Sequence, residues 1–206
     1  MQKHVIRMFR QYRETLPAER RVILDRYHIL DVARKVVGVG SVGTRCAVVL
    51  LMADEHDPLL LQFKEAFPSV LERYAGKSRY SNHGERVVSG QRMLQSASDL
   101  FLGWTRDEEG RSYYFRQLRD MKMKIDLESM TKSDWLEYVE ICGWTLARAH
   151  ARTGDAALIG GYLGKNDVFD SSLEKFATAY ANQAERDHAS LVKAIKAGQL
   201  RAQQTA

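Results

Sequence analysis

Val5, Phe9, Tyr12 and Leu16 recur at three- and four-residue intervals, the spacing that lines one face of a helix, with arginines between them turned outward. Pro17 restarts the chain into a second short helix carrying Val22, Leu24 and Tyr27. The period then changes. Thr44 to Met52 (TRCAVVLLM) is β-branched and apolar, and after the polar turn Ala53 to Pro58 the run Leu59 to Ala66 reads as a third strand. Tyr80 to Ser98 places Val87, Met93 and Leu94 roughly on one face, predicting a helix from near Asn82 with Gly90 as its weak point. Phe101 to Arg106 and Ser112 to Leu118, joined by Asp107-Glu108-Glu109-Gly110, predict a hairpin that completes a five-stranded sheet.

Beyond this the period is helical. Thr131 and Asp134 make a cap ahead of a stripe of Leu136, Val139, Gly143, Leu146 and His150. Ser171 and Glu174 make another, ahead of Leu173, Phe176, Ala177, Tyr180, Ala184, His188, Leu191 and Ile195, with Gly198 as the stop. The expected class is α+β: an antiparallel β-sheet of about five strands with a glycine-rich hairpin, flanked by helices and followed by a helical C-terminal region. A single domain over 1–206 is expected, with N-terminal helices over 1–30, sheet plus helix over 31–122 and the helical region over 123–206.

The hairpin changes the picture. Gly38-Val39-Gly40-Ser41-Val42-Gly43 is a G-x-G-x-x-G loop, but a strand follows it, where a dinucleotide fold requires a helix whose N-terminus holds the pyrophosphate. A glycine hairpin suits two ends. Its amides can approach phosphates where no Cβ intervenes, as in the covering loop of kinase-like phosphotransferases, or it is a turn that needs positive φ. Lys64 lies 21 residues after Gly43, near the end of the third strand, where a kinase-like lysine reaches back to the phosphates; a strand-end lysine also snorkels to water. Glu85, another 21 residues on, sits in a first helical turn, positioned either to pair with that lysine or simply to complement the helix dipole. The segment Gln117-Leu118-Arg119-Asp120 exits towards the helices, where a kinase-like fold offers backbone groups to adenine.

Composition sets limits. The 206 residues are 45% hydrophobic, enough for one good core, and the net charge is +5. Met1 to Arg21 alone holds six basic residues against two acidic ones, so the excess is mostly N-terminal. A basic amphipathic helix can lie on anionic lipid or nucleic acid, or present a solvated face; the near-balanced remainder argues against a broad nucleic-acid surface. Cys46 and Cys142 have neither the number nor the spacing of a disulfide framework or zinc site. The longest apolar run, Cys46 to Ala53, falls far short of the ~20 residues that span a bilayer, so a cytoplasmic protein with no membrane partner is expected. The six histidines form no H-x-x-x-H pair, and no G-x-S-x-G elbow or Walker lysine occurs.

KVVGVGSVGTR (Lys35 to Arg45), LQFKEA (Leu61 to Ala66), SRYSNHGERVVSGQR (Ser78 to Arg92), FLGWTR (Phe101 to Arg106), YYFRQLRDMK (Tyr113 to Lys122), CGWTLARAHARTGD (Cys142 to Asp155) and GYLG (Gly161 to Gly164) stand in an order that closely resembles the bacterial domain-of-unknown-function family 2252 (DUF2252). The resemblance covers essentially the whole chain. It implies a protein about twice this length, whose upstream half carries acidic blocks that look like a phosphotransferase catalytic loop and metal-binding loop. This chain would then be the nucleotide-covering half, binding ATP with Mg2+ but catalytically incomplete alone; the alternative is a non-catalytic interaction module, or truncated half, that pairs with a complementary N-terminal half or with itself. The resemblance also marks Gly90-Gln91-Arg92 as typical and Glu85 as not reliably acidic, so Gln91 or Arg92 stands as the alternative partner of the phosphates. Gly154-Asp155 and Asn166-Asp167 are the nearest substitutes for the acidic blocks and read as turn and cap residues.

Overall fold

Alternation along two central strands determines which side of the sheet becomes core. In β2 (Cys46–Met52), Ala47, Val49 and Leu51 are buried, and in β3 (Pro58–Ala66) Leu59, Leu61 and Phe63 join them on the same face. The computed structural model describes residues 2–35, 43–118 and 125–201. Its sheet is antiparallel and open, ordered β1-β2-β3-β5-β4, with β1 (His28–Arg34) and β4 (Gly103–Arg106) at the edges and β5 (Ser112–Gln117) beside β3. The α+β class and five-stranded sheet expected from the sequence are both present.

Two N-terminal helices close the core face. From α1 (Gln2–Glu14), Val5, Met8 and Tyr12 enter the cluster formed by the strands, joined by Leu16 from the following turn and Leu24 from α2 (Ala18–Leu24). The Tyr12 ring stacks on Phe115 of β5, centroids 4.2 Å apart, and its hydroxyl donates to the Phe101 carbonyl at 2.7 Å. The basic side chains of these helices are largely neutralised. Arg13 bonds both oxygens of Asp25 at 2.6 Å and also meets Glu14, Arg21 meets Glu14 at 3.0 Å, and Arg7 pairs with Glu108.

After the short α3 (Glu72–Ala75), α4 (His83–Leu94) starts where the capping logic places it. The Asn82 side chain accepts from the Gly84 and Glu85 amides, at 2.8 and 3.3 Å. The helix ends at Leu94, short of the span expected from the sequence, and Gln95 to Ser98 are not helical. Gly84 lies so close to β5 that a Cβ there would come within 2.1 Å of the Tyr113 carbonyl oxygen.

The chain divides into two compact units, Met1–Thr153 and Gly154–Ala206. The first ends with α5 (Lys132–Thr153), entered through the Thr131–Asp134 cap, whose side chains bond at 2.7 Å. The second consists of α6 (Ala156–Leu163) and α7 (Val168–Lys196). Asp155 caps α6 through the Ala157 and Leu158 amides, and α7 begins at Val168 rather than at the Ser171 cap because Asn166 and Asp167 already turn the chain. No described residue of α5, α6 or α7 is buried; the Leu136 to His150 and Leu173 to Ile195 stripes expected to pack are at least partly exposed.

Candidate functional site

The second face of the sheet carries the chemistry. Because Leu61 and Phe63 point into the core, Gln62 and Lys64 between and beyond them point the other way, and the register adds Cys46 and Tyr114 opposite Lys64 and Arg116 opposite Gln62. Gln62 is almost fully buried and organises this face: its Oε1 accepts from Arg116 Nε and Nη2 at 3.2 and 3.0 Å, and its Nε2 donates to Cys46 Sγ at 3.5 Å. Burial pushes the Cys46 thiol above its ordinary range, with Lys64 pulling the other way, and burial likewise raises the Tyr114 phenol.

This face forms one wall of a cleft of about 1180 Å3. Lys35, Gln62, Lys64, Arg116 and Gln117 line it from the sheet side, Gln91 from α4, Gln95 to Leu100 from the segment after α4, and Trp144, Arg148 and Arg152 from α5. All of these belong to the first unit. Five cationic side chains therefore meet one described carboxylate, Asp99, whose two oxygens each accept a backbone N–H at 2.7 Å, from Phe101 and Gln117. None of Lys35, Arg116, Arg148 and Arg152 forms an ion pair with a described carboxylate. Arg148 instead lies over the Trp144 ring at 4.6 Å, and Arg152 Nε donates to the Met93 carbonyl at 3.1 Å, at the end of α4.

The glycine hairpin borders this cleft through its stem. Lys35 lines the cleft and its amide donates to the Cys46 carbonyl at 3.1 Å. On the returning side Gly43 has φ +80°, and Arg45 is held by the buried Glu65, which accepts from the Arg45 amide at 3.1 Å and from its guanidinium at 3.3 Å. Gly38, Gly40 and Ser41 lie outside the described residues, as does Arg119.

Of the remaining sequence candidates, Lys64, Gln91 and Gln117 come together on the cleft and two do not. Glu85 stays in the first turn of α4, beside the Asn82 cap, and does not line the cleft; about one and two-thirds turns further along the helix, Gln91 does. Arg92 turns away to donate to the Leu102 carbonyl and to cover the Trp104 ring at 5.8 Å, tying α4 to β4; burial lowers its pKa. The amides of Gln117 and Leu118 are already bonded, to Asp99 and to the Leu60 carbonyl at 2.8 Å, so neither offers its N–H to a base.

Sequence reasoning missed Gln62, Lys35, Arg116, Arg148 and Arg152. Arg116 could have been found from strand parity with Gln62 once the β3–β5 register was known. Trp144, Arg148 and Arg152 repeat every fourth residue, a helical stripe legible in WTLARAHAR but outweighed by the apolar positions beside it.

Among the described residues no group of three or more His, Cys, Asp or Glu side chains is placed to hold a metal ion, and no helix is long and apolar enough to cross a membrane. A family model described as "Uncharacterized protein conserved in bacteria (DUF2252)" matches residues 1–194. No curated protein and no solved structure matches the chain.

Proposed function

The chain belongs to the DUF2252 family, whose description names no activity, and from its own cleft we propose that it binds a nucleoside polyphosphate, with ATP as the representative ligand. The observation that carries this reading is a cleft in which Lys64 is joined by four further cations that no described carboxylate neutralises. Unneutralised cations converging on one concavity are costly through mutual repulsion and are relieved by a ligand with several negative charges, such as a chain of phosphates. The element order supports a kinase-like arrangement: a glycine hairpin between β1 and β2, a lysine on β3, then a helix, α4, before the last two strands. Trp144, 60% exposed, offers a stacking surface for a base. The lobe is read as catalytically incomplete by itself, since the described lining residues include no carboxylate with an uncommitted oxygen to act as base.

Millimolar ATP should raise the melting temperature, and Lys64→Ala should remove the rise. Unchanged melting in the presence of nucleotide overturns the proposal.

A second reading has its own observation. On α5, Trp135, Leu136, Val139, Ile141 and Leu146 are 40–60% exposed; in the second unit Leu158, Tyr162, Phe176 and Tyr180 are 63–80% exposed. Apolar faces of this extent favour cover by another polypeptide, either a complementary N-terminal half or a second copy. Sedimentation analysis should then show self-association, or a stable complex with a separately expressed upstream half; a monomer that ignores both overturns this reading. The neutralised arginines of α1 and α2 speak against a nucleic-acid partner on that side.

A further inference from the structure

We propose that the cleft takes its polyphosphate as the metal-free anion, with the protein's own cations in the position that magnesium occupies in kinase-like phosphotransferases. The inference rests on the polyphosphate reading above and concerns the form in which that ligand enters.

Magnesium is held in phosphotransferase sites by one or two carboxylates together with phosphate oxygens and water. The described donors lining this cleft have the opposite character. Asp99 is the described lining carboxylate, and each of its oxygens is taken by a backbone N–H at 2.7 Å, from Phe101 and from Gln117, where it fastens the loop after α4 to the end of β5. Turning Asp99 towards a metal would strand two amides. The described residues of the cleft therefore do not fit a resident magnesium ion.

They do fit what magnesium otherwise supplies, which is positive charge against the phosphate oxygens. Lys35, Lys64 and Arg116 stand on the sheet wall, and Arg148 and Arg152 on α5, which packs against α4. Arg116 is held by the buried Gln62, a neutral acceptor that orients the guanidinium without cancelling its charge. Arg152 is likewise fixed by a neutral carbonyl, that of Met93, and Arg148 by a ring face. Three arginines oriented by neutral groups retain their full charge for a ligand. A chelated magnesium would partly neutralise the phosphates and bring further positive charge into this site, weakening the attraction.

The test uses the full chain and two probes, ATP and inorganic tripolyphosphate, titrated calorimetrically in EDTA and again in excess magnesium. Both should bind in EDTA, and magnesium should weaken each by about tenfold or more, the loss expected when well over 1 kcal/mol of charge complementarity is removed. Arg148→Gln, on an exposed helix position, should weaken metal-free binding and shrink the difference between the two conditions. Equal or tighter binding with magnesium overturns this inference while leaving the polyphosphate reading intact. No binding of either probe under either condition overturns both.

Discussion

Gln62 and Arg116 face each other across β3 and β5, and the single carbonyl oxygen of the Gln62 amide receives two hydrogen bonds from the arginine, at 3.2 and 3.0 Å. The acceptor is neutral and only 2% exposed, so the pair fixes a cation at the cleft wall without an accompanying anion. Replacing this amide by a carboxylate keeps the shape and changes the electrostatics. Gln62→Glu should leave folding largely intact, because Arg116 becomes its ion-pair partner, yet weaken ATP binding by about tenfold or more. Calorimetric titration alongside a thermal melt checks both halves of that expectation.

Gly84 and Gly90 occupy the same helix and should respond in opposite directions to alanine. A Cβ at Gly84 would meet the Tyr113 carbonyl oxygen at 2.1 Å, so Gly84→Ala must push α4 off β5 and should cost roughly 1–3 kcal/mol. At Gly90 nothing lies within 4 Å, and alanine should stabilise the helix by up to about 1 kcal/mol. Melting temperatures should move by about 2–4 °C for each kcal/mol, downward for the first and upward for the second.

Tyr12 contributes a ring to the core and a hydroxyl to the Phe101 carbonyl. Tyr12→Phe preserves the stacking on Phe115 and leaves that carbonyl without its partner. Denaturant unfolding should show a loss of roughly 1–3 kcal/mol, with an unchanged dependence on denaturant because the buried surface is the same.

Asp107, its side chain fully buried, closes the β4–β5 turn. Burial raises its pKa, but the Arg111 amide at 2.8 Å, the Arg111 guanidinium at 2.6 Å and the Tyr113 hydroxyl at 3.1 Å outweigh this and leave it below the ordinary carboxylate value. A carboxyl depressed in the folded state contributes its stability in full above the unfolded value of about 3.9, and loses it as pH falls below that value through the folded one. Thermal melts from about pH 7 to about pH 3 should show the wild type losing this contribution only in the acid range. Asp107→Asn should be less stable at neutral pH and show a shallower acid decline.

Much of the scaffold could be read directly from the chain because its signals are local. A helix face repeats within a few residues, a strand alternates, and Asn82 caps a helix through amides two and three positions away. Val5, Tyr12 and Leu16 as core, β3 as a strand and Lys64 near its end all follow from such short-range regularities.

The cleft does not follow from them. Pairing β3 with β5 rather than with its sequence neighbour β4 sets Arg116 beside Gln62 from 54 positions away, and packing α5 against α4 brings Arg148 and Arg152 to the same concavity as Lys64. The family resemblance offered Arg92, with Gln91, as an alternative partner of phosphate, whereas packing against Trp104 and the Leu102 carbonyl draws Arg92 elsewhere. Periodicity records which way a side chain leaves its own helix or strand, but carries no information on what lies opposite. That depends on the sum of many long-range contacts, and here it gathers cations from the glycine-hairpin stem, strands β3 and β5 and a helix distant in sequence into one field.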